Sequence, residues 1–116
     1  MVLQYNWAYG PYGFALNGKV CLNAITAGGS REIYGPEGKN KYTINEFLRP
    51  FEQTASLCGM HYLPPFAITS ANQLKTREVG FCEKEYSKVL HWLSNKDLSQ
   101  INVSDLQFLN DMTETT

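Results

Sequence analysis

Residues 19–29 read KVCLNAITAGG, and this stretch decides the fold class. The segment from Val20 to Thr26 is largely apolar without clean alternation, which favours a strand covered on both faces, as in a parallel sheet. The strand ends abruptly at Gly28 and Gly29, where we expect a tight turn. Open α/β sheets bind ligands at the carboxyl ends of their strands, so this turn is the first candidate site.

Two helices are predicted after this strand. Thr43 and Glu46 form an S/T-x-x-E capping box at the start of the first helix, and Gly59 provides its C-terminal stop. Pro50 has no amide hydrogen, so we expect a kink there. Apolar residues at spacings of three and four predict one buried face. They are Ile44, Phe47, Leu48, Phe51, Ala55 and Cys58. The second helix is predicted over residues 75–93.

A second strand is predicted over residues 60–69, between the two helices. Pro64 and Pro65 cannot donate to a ladder, so we expect pairing mainly from Phe66 to Thr69, at an edge position. The order loop, strand, helix, strand, helix indicates an α/β fold with a parallel sheet. Two strands are few for such a sheet. We predict one domain over residues 1–95 and a polar tail over residues 96–116, with a short turn near residues 104–112.

Composition excludes several classes of function. The chain has 116 residues and a formal net charge of −1, so no basic excess indicates nucleic acid as a partner. It has neither an apolar stretch long enough to span a bilayer nor a secretory leader pattern at its start. Three cysteines without CxxC spacing and two separated histidines give no metal-ligand pattern, so we expect no metal and a reducing cytoplasmic location.

Several short segments, in this order and spacing, carry a resemblance to a known family. They are WAYGP at 7–11, ALNGK at 15–19, ITAGG at 25–29, LRPFE at 48–52, LCGM at 57–60 and LPPF at 63–66. Together they resemble the second half of the flavodoxin-like NAD(P)H:quinone oxidoreductases, in particular the Kef-type potassium-efflux ancillary branch. The resemblance covers about residues 2–93. It implies a truncated flavodoxin-like doubly wound parallel sheet, whose strands resemble the fourth and fifth of five, without the loop that holds the flavin phosphate.

The resemblance implies that Thr26, Ala27, Gly28 and Gly29 bind a flavin, either FMN or FAD. Glycines let backbone amides approach a flat ring closely, and amide donors at its edge stabilise negative charge on the reduced ring. The family usually has a second threonine where this chain has Ala27, which removes one side-chain hydrogen bond. Without the resemblance, a plain tight turn is the simpler interpretation.

The resemblance also implies a role for several aromatic residues. Tyr34 matches a catalytic tyrosine whose hydroxyl faces the flavin carbonyl edge, although related reductases pair it with a histidine where this chain has Asn40. Trp7, Tyr9 and Tyr12 match a substrate-binding loop that stacks on a quinone and is often contributed across a dimer interface. The alternatives are an ordinary loop tyrosine and a loop anchored by buried rings.

The leading functional hypothesis is therefore a flavin-dependent quinone reductase with NAD(P)H as co-substrate, acting on a quinone-like small molecule as a homodimer. One alternative is a non-catalytic ancillary subunit that regulates a Kef-type antiporter, located peripherally at the inner face of the membrane. Ala27 and Asn40 lean towards this alternative. Another is an inactive remnant, since a chain without the phosphate loop should hold flavin poorly and be inactive alone.

Overall fold

The computed structural model describes residues 3–95 and 106–111. Strands and helices alternate along the chain as the sequence predicts. The elements are β1 (Val20–Cys21), β2 (Ala24–Thr26), α1 (Ile44–Phe47), α2 (Arg49–Leu57), β3 (His61–Tyr62), β4 (Phe66–Ile68) and α3 (Thr76–Asn95). Short 3-10 turns are formed by Arg31–Ile33, Ala71–Gln73 and Leu109–Asp111.

The strands pair in parallel, β1 with β3 and β2 with β4, so the predicted parallel sheet is confirmed. Each predicted strand is divided in two. The amide of Leu63 donates to Cys21 O at 2.9 Å, but the prolines at 64 and 65 have no amide to donate, so the ladder resumes only at Phe66. The Tyr62 hydroxyl donates to Asn23 Oδ1 at 2.5 Å across the same break.

Both reciprocal hydrogen bonds of the predicted capping box at Thr43 are formed. The Glu46 amide donates to Thr43 Oγ1 at 3.0 Å, and the Thr43 amide donates to Glu46 Oε1 at 3.1 Å. The hydrogen bond from the Thr43 amide and, next, the Thr43 hydroxyl hold the pKa of the Glu46 carboxyl below its usual range. The expected kink is a complete break at Leu48, which separates α1 from α2 and places Pro50 in the first turn of α2.

The predicted buried face of this helical region is partly wrong. Ile44, Leu48, Ala55 and Cys58 are buried, whereas Phe47 and a second phenylalanine one turn later, at position 51, are more than half exposed. The helix is interrupted at Leu48, and the two phenylalanines that the spacing assigned to the core lie largely in solvent. The chain therefore presents exposed phenylalanine rings on this side of the sheet.

Two clusters of buried side chains lie on the two helical layers. One joins Leu63, Phe66, Val89 and Leu109, with residues of α3 packed against it. The other consists of Ile44, Leu48, Ala67 and Phe108. Because neighbouring residues of a strand point to opposite faces, Phe66 enters the first cluster and Ala67 the second. The sheet therefore separates the α3 cluster from the α1 cluster.

The expectation that the first strand is covered on both faces is wrong for β2. Ala24 and Thr26 are exposed, and only Ile25 between them is partly buried. The exposed side opens on an apolar groove of about 510 Å³ between the strands and α3. Its walls include Thr26, Ile68, Val79 and Tyr86. Within this chain, α3 alone does not cover that face of the strand.

The segment after α3 holds an unexpected part of the core. The domain boundary at residue 95 stays a prediction, but Phe108 is 2% exposed and Leu109 is 0% exposed, so both of these side chains belong to the core. The rest of the predicted tail lies outside the described residues. In the described ranges, no helix is long and apolar enough to cross a membrane, and no group of metal-ligating side chains is present. All three cysteines are free.

Candidate functional site

The loop that follows β2 is the candidate site, and backbone hydrogen bonds hold it against the segment after β4. The Ala27 amide donates to Ile68 O at 2.8 Å, the Ser70 amide to Gly29 O at 2.8 Å, and the Ala71 amide to Ala27 O at 2.9 Å. These bonds use the amide and carbonyl of Ala27 and the carbonyl of Gly29, and they leave the amides of Gly28 and Gly29 outside this pairing. The loop thus lies open at the carboxyl end of a parallel strand.

Two backbone donors on this loop are unused. Within residues 3–95 and 106–111, the amides of Gly28 and Gly29 donate to no protein acceptor. Thr26 and Gly28 are exposed and Gly29 is half-buried, so a ligand can reach this part of the chain. Adjacent free amides at the end of a strand suit an electron-rich ring edge or an oxyanion.

Neither glycine has a positive φ, so what distinguishes them is close packing against neighbouring side chains. A Cβ on Gly28 would lie 2.7 Å from Asn72 Nδ2. A Cβ on Gly29 would overlap Ile33 Cδ1, a neighbour in its own loop. A side chain at either position would displace these neighbours, and at Gly28 the absence of a side chain also leaves the backbone exposed.

Tyr34 lies beside the glycine pair, as the sequence interpretation requires. A Cβ on Gly29 would lie 3.4 Å from Tyr34 Cε2. The tyrosine ring packs edge-on against Phe47, with centroids 6.2 Å apart and planes at 87°. Its hydroxyl has no hydrogen-bond partner among the described residues, so it is available to a ligand. The Asn40 amide donates to Ile33 O at 3.0 Å and closes the same loop.

The N-terminal aromatic loop forms a separate feature. Trp7 is 48% exposed and Tyr12 is 78% exposed, while Tyr9 packs edge-on against Tyr5 with centroids 5.6 Å apart. Between this loop and residues 26–34, the described part of the chain contains no hydrogen bond or aromatic ring contact. The assignment of Trp7, Tyr9 and Tyr12 to a substrate site therefore stays a prediction.

Arg31 is the residue of this loop that sequence reasoning missed. Its Nη1 donates to Asp111 Oδ1 at 2.9 Å, and its Nη2 donates to Asp111 Oδ2 at 2.6 Å and to Gln107 Oε1 at 2.9 Å. The guanidinium carbon lies 4.1 Å from the centroid of the Phe108 ring. The only signal in the sequence is an arginine between two glycines and a tyrosine, which identifies no partner.

The ion pair also shifts the pKa values of both of its members. Hydrogen bonds from Arg31 hold the pKa of the Asp111 carboxyl below its usual range, and the same bonds raise the pKa of Arg31. Both side chains are about one-third exposed, so solvent screens part of their attraction. The two parallel hydrogen bonds to Asp111 and the Phe108 ring beneath the guanidinium group therefore matter mainly because they fix its orientation, and less because they stabilise the fold.

The unused amides of Gly28 and Gly29 and the free Tyr34 hydroxyl together suit the edge of a flat, electron-rich ring. All of these donors belong to one short loop, and the missing Cβ at Gly28 lets a ring approach the backbone closely. Thr26 adds an exposed hydroxyl at the end of β2. The residues present therefore fit the ring of a flavin, and nothing in this loop is arranged to hold its phosphate.

Comparisons with known proteins find similar chains among both curated proteins and solved structures. The chain is 35% identical over 94 residues to the glutathione-regulated potassium-efflux system ancillary protein KefG of Pectobacterium carotovorum, covering 81% of this chain and 50% of that protein. A solved general stress protein 14 from Treponema denticola, in complex with FMN, superposes with a TM-score of 0.70 at 36% identity, over 80% of this chain and 51% of that one.

An NADPH-quinone reductase structure from P. pentosaceus superposes with a TM-score of 0.71 at 26% identity, over 84% of this chain and 55% of that one. The chain thus spans about half the length of the curated relatives it matches. Residues 1–90 match the Flavodoxin_2 family, which is described by its flavodoxin-like fold. On this match and these relatives, the chain belongs to the Flavodoxin_2 family of flavodoxin-like proteins.

Proposed function

We propose that this chain provides the ring-binding half of a flavin-dependent NAD(P)H:quinone oxidoreductase site, with FMN as the flavin. The observation that carries the proposal is the open loop after β2, whose Gly28 and Gly29 amides and Tyr34 hydroxyl have no hydrogen-bond partner within residues 3–95 and 106–111. The FMN complex of a relative at 36% identity supports FMN. The relative named NADPH-quinone reductase supports the nicotinamide and quinone.

When bound, FMN would supply two-electron hydride chemistry between NAD(P)H and a quinone. The amides of Gly28 and Gly29 would donate to the polar edge of the ring and favour negative charge there. The Tyr34 hydroxyl would hold a proton near a carbonyl oxygen at that edge, and its ring is oriented for this by the edge-on contact with Phe47. Asn40 does not titrate, so no side chain at that position relays a proton.

The substrate side of the site is part of the same proposal. Trp7 and Tyr12 expose aromatic surface that would stack on a planar quinone. Because they make no ring contact with the β2 loop within the described chain, we place them over the ring of a second copy in a homodimer. The chain would act in the cytoplasm.

The first experiment is a titration of the 116-residue chain with FMN, followed by quenching of flavin fluorescence. We expect weak binding, because phosphate contacts at a helix N-terminus supply much of the anchoring in such sites. Absence of binding at about 1 mM FMN, equivalent to about −4 kcal/mol, would contradict the proposal. FAD titrated in parallel decides between the two flavins.

The second experiment isolates the Tyr34 hydroxyl. With FMN bound, Tyr34→Phe should lower the rate of quinone reduction by NADPH by about tenfold or more and leave the Kd for FMN within about twofold. Tyr42→Phe is the matched control, because Tyr42 also packs edge-on against Phe47, with centroids 6.0 Å apart. Equal rates for the two variants would remove Tyr34 from the proposed chemistry.

A second candidate function is a non-catalytic ancillary subunit of a potassium-efflux antiporter. It is favoured by the 35% identity to KefG and by Ala27 and Asn40, which reduce the polar groups offered to a flavin. In that role the protein would lie at the inner face of the membrane. Co-purification with a Kef-type antiporter, unchanged by Tyr34→Phe, would favour this role over catalysis.

A further inference from the structure

Residues 106–111, here termed the C-terminal strap, lie beyond the family match, which ends at residue 90. The strap covers the outer edge of β4. The Leu109 amide donates to Pro65 O at 2.9 Å, the Ala67 amide donates to Asn110 Oδ1 at 2.9 Å, and Asn110 Nδ2 donates to Ala67 O at 2.7 Å. One side-chain amide thus satisfies both backbone groups of Ala67, as a neighbouring strand would do.

The strap also spans both faces of the sheet at this edge. Phe108 enters the cluster of Ile44, Leu48 and Ala67, and Leu109 enters the cluster on the α3 side. Ile25, Ala27 and Tyr34 pack against the cluster that contains Phe108, so the strap contributes to the underside of the candidate site. It is therefore fixed to the sheet independently of its contact with the β2 loop.

Arg31 connects this fixed strap to the loop. It lies two residues after Gly29 and three before Tyr34, and its fork is bound to Asp111 and Gln107 over the Phe108 ring. Three directed contacts from one planar group leave the guanidinium little freedom to move relative to the strap. A loop held at its middle in this way keeps its amides and its tyrosine in one arrangement.

We propose that Arg31 is a positioning residue, which holds the loop carrying Gly28, Gly29 and Tyr34 in its ligand-binding arrangement through the C-terminal strap. The ligand part of this proposal rests on the proposed function. The positioning part concerns only this chain's own residues and is measurable without a ligand.

The test is amide hydrogen exchange of the full 116-residue chain. The probes are the amides of Ser70 and Ala71, which donate to the loop carbonyls of Gly29 and Ala27. In Arg31→Ala these amides should exchange about tenfold faster, because the loop opens locally while the rest stays folded. The amide of Met60, which donates to Ala55 O at 2.9 Å after α2, is the internal control and should change less than about twofold.

Further variants separate positioning from charge and from general stability. Arg31→Lys keeps the charge but loses the fork, so it should exchange nearly as fast as Arg31→Ala. Asp111→Asn should show the same local effect to a smaller degree. The double variant Arg31→Ala with Asp111→Asn should exchange no faster than Arg31→Ala, since both changes disrupt the same ion pair, and the asparagine Oδ1 can still accept from the Phe108 amide.

Unchanged exchange at Ser70 and Ala71 would overturn the proposal, because the ion pair would then not restrain the loop. An equal increase at Met60 would also overturn it, because the ion pair would then contribute to the stability of the whole fold. Where the unaltered chain binds FMN, Arg31→Ala should also raise its Kd by about tenfold. Failure of the unaltered chain to bind FMN counts against the proposed function, and the exchange data still decide the role of Arg31.

Discussion

Replacing Leu109 with alanine should destabilise the fold strongly, although Leu109 lies in a segment with a polar composition. Its side chain is 0% exposed and lies in the cluster of Leu63, Phe66 and Val89. A buried Leu→Ala change costs about 2–5 kcal/mol, because transfer energy is lost and a cavity remains. We expect about 3 kcal/mol, a large part of the total stability of a domain of this size.

Urea unfolding followed by tryptophan fluorescence measures this effect, since Trp92 packs against the same cluster. With a slope of about 1.5 kcal/mol per molar urea, the midpoint should fall by about 2 M. Leu57→Ala is the matched control, because Leu57 is 59% exposed, and it should cost less than about 0.5 kcal/mol. Equal midpoints for the two variants would refute the reasoning that the strap completes the core.

Two further predictions concern charge and backbone conformation. Because Arg31 lowers the pKa of Asp111, their pair contributes stability that is present above an unfolded-state pKa of about 4 and is lost as the pH falls through the lower folded-state value. Urea midpoints should therefore fall more steeply with acidification for the unaltered chain than for Asp111→Asn, and parallel curves would contradict this. Gly59→Ala should cost about 1–2 kcal/mol, because Gly59 has a φ of +71° and an added Cβ would lie 2.5 Å from Asn17 Oδ1. Gly35→Ala, where nothing lies within 4 Å of the added Cβ, is its control in thermal unfolding, and similar losses would disprove the conformational explanation.

Features that depend on neighbouring residues could be predicted from the sequence. The Thr43 capping box, the stop at Gly59 and the long helix α3 are confirmed, because each is decided within a few residues of chain. The interruption at Pro64 is likewise confirmed, since proline removes a ladder donor wherever it lies.

Features that depend on distant contacts could not be predicted in this way. Asn110 and Ala67 are 43 residues apart, and an asparagine in a polar segment gives no sign that its amide will cap a strand. The apolar residues Leu106, Phe108 and Leu109 were the available signal, but they are too few to show helical or strand periodicity. At the candidate site, the sequence predicted the position of the open loop but not its anchor through Arg31.

The strap follows β1 to β4 in chain order, so during synthesis the edge of β4 emerges before the residues that cover it. Until then, the amide and carbonyl of Ala67 are open to pairing with any extended chain nearby. Cleavage between α3 and Leu106 would return the finished protein to that state. Loss of this short segment should therefore make the fold prone to strand pairing between molecules through the exposed edge of β4, and so to aggregation.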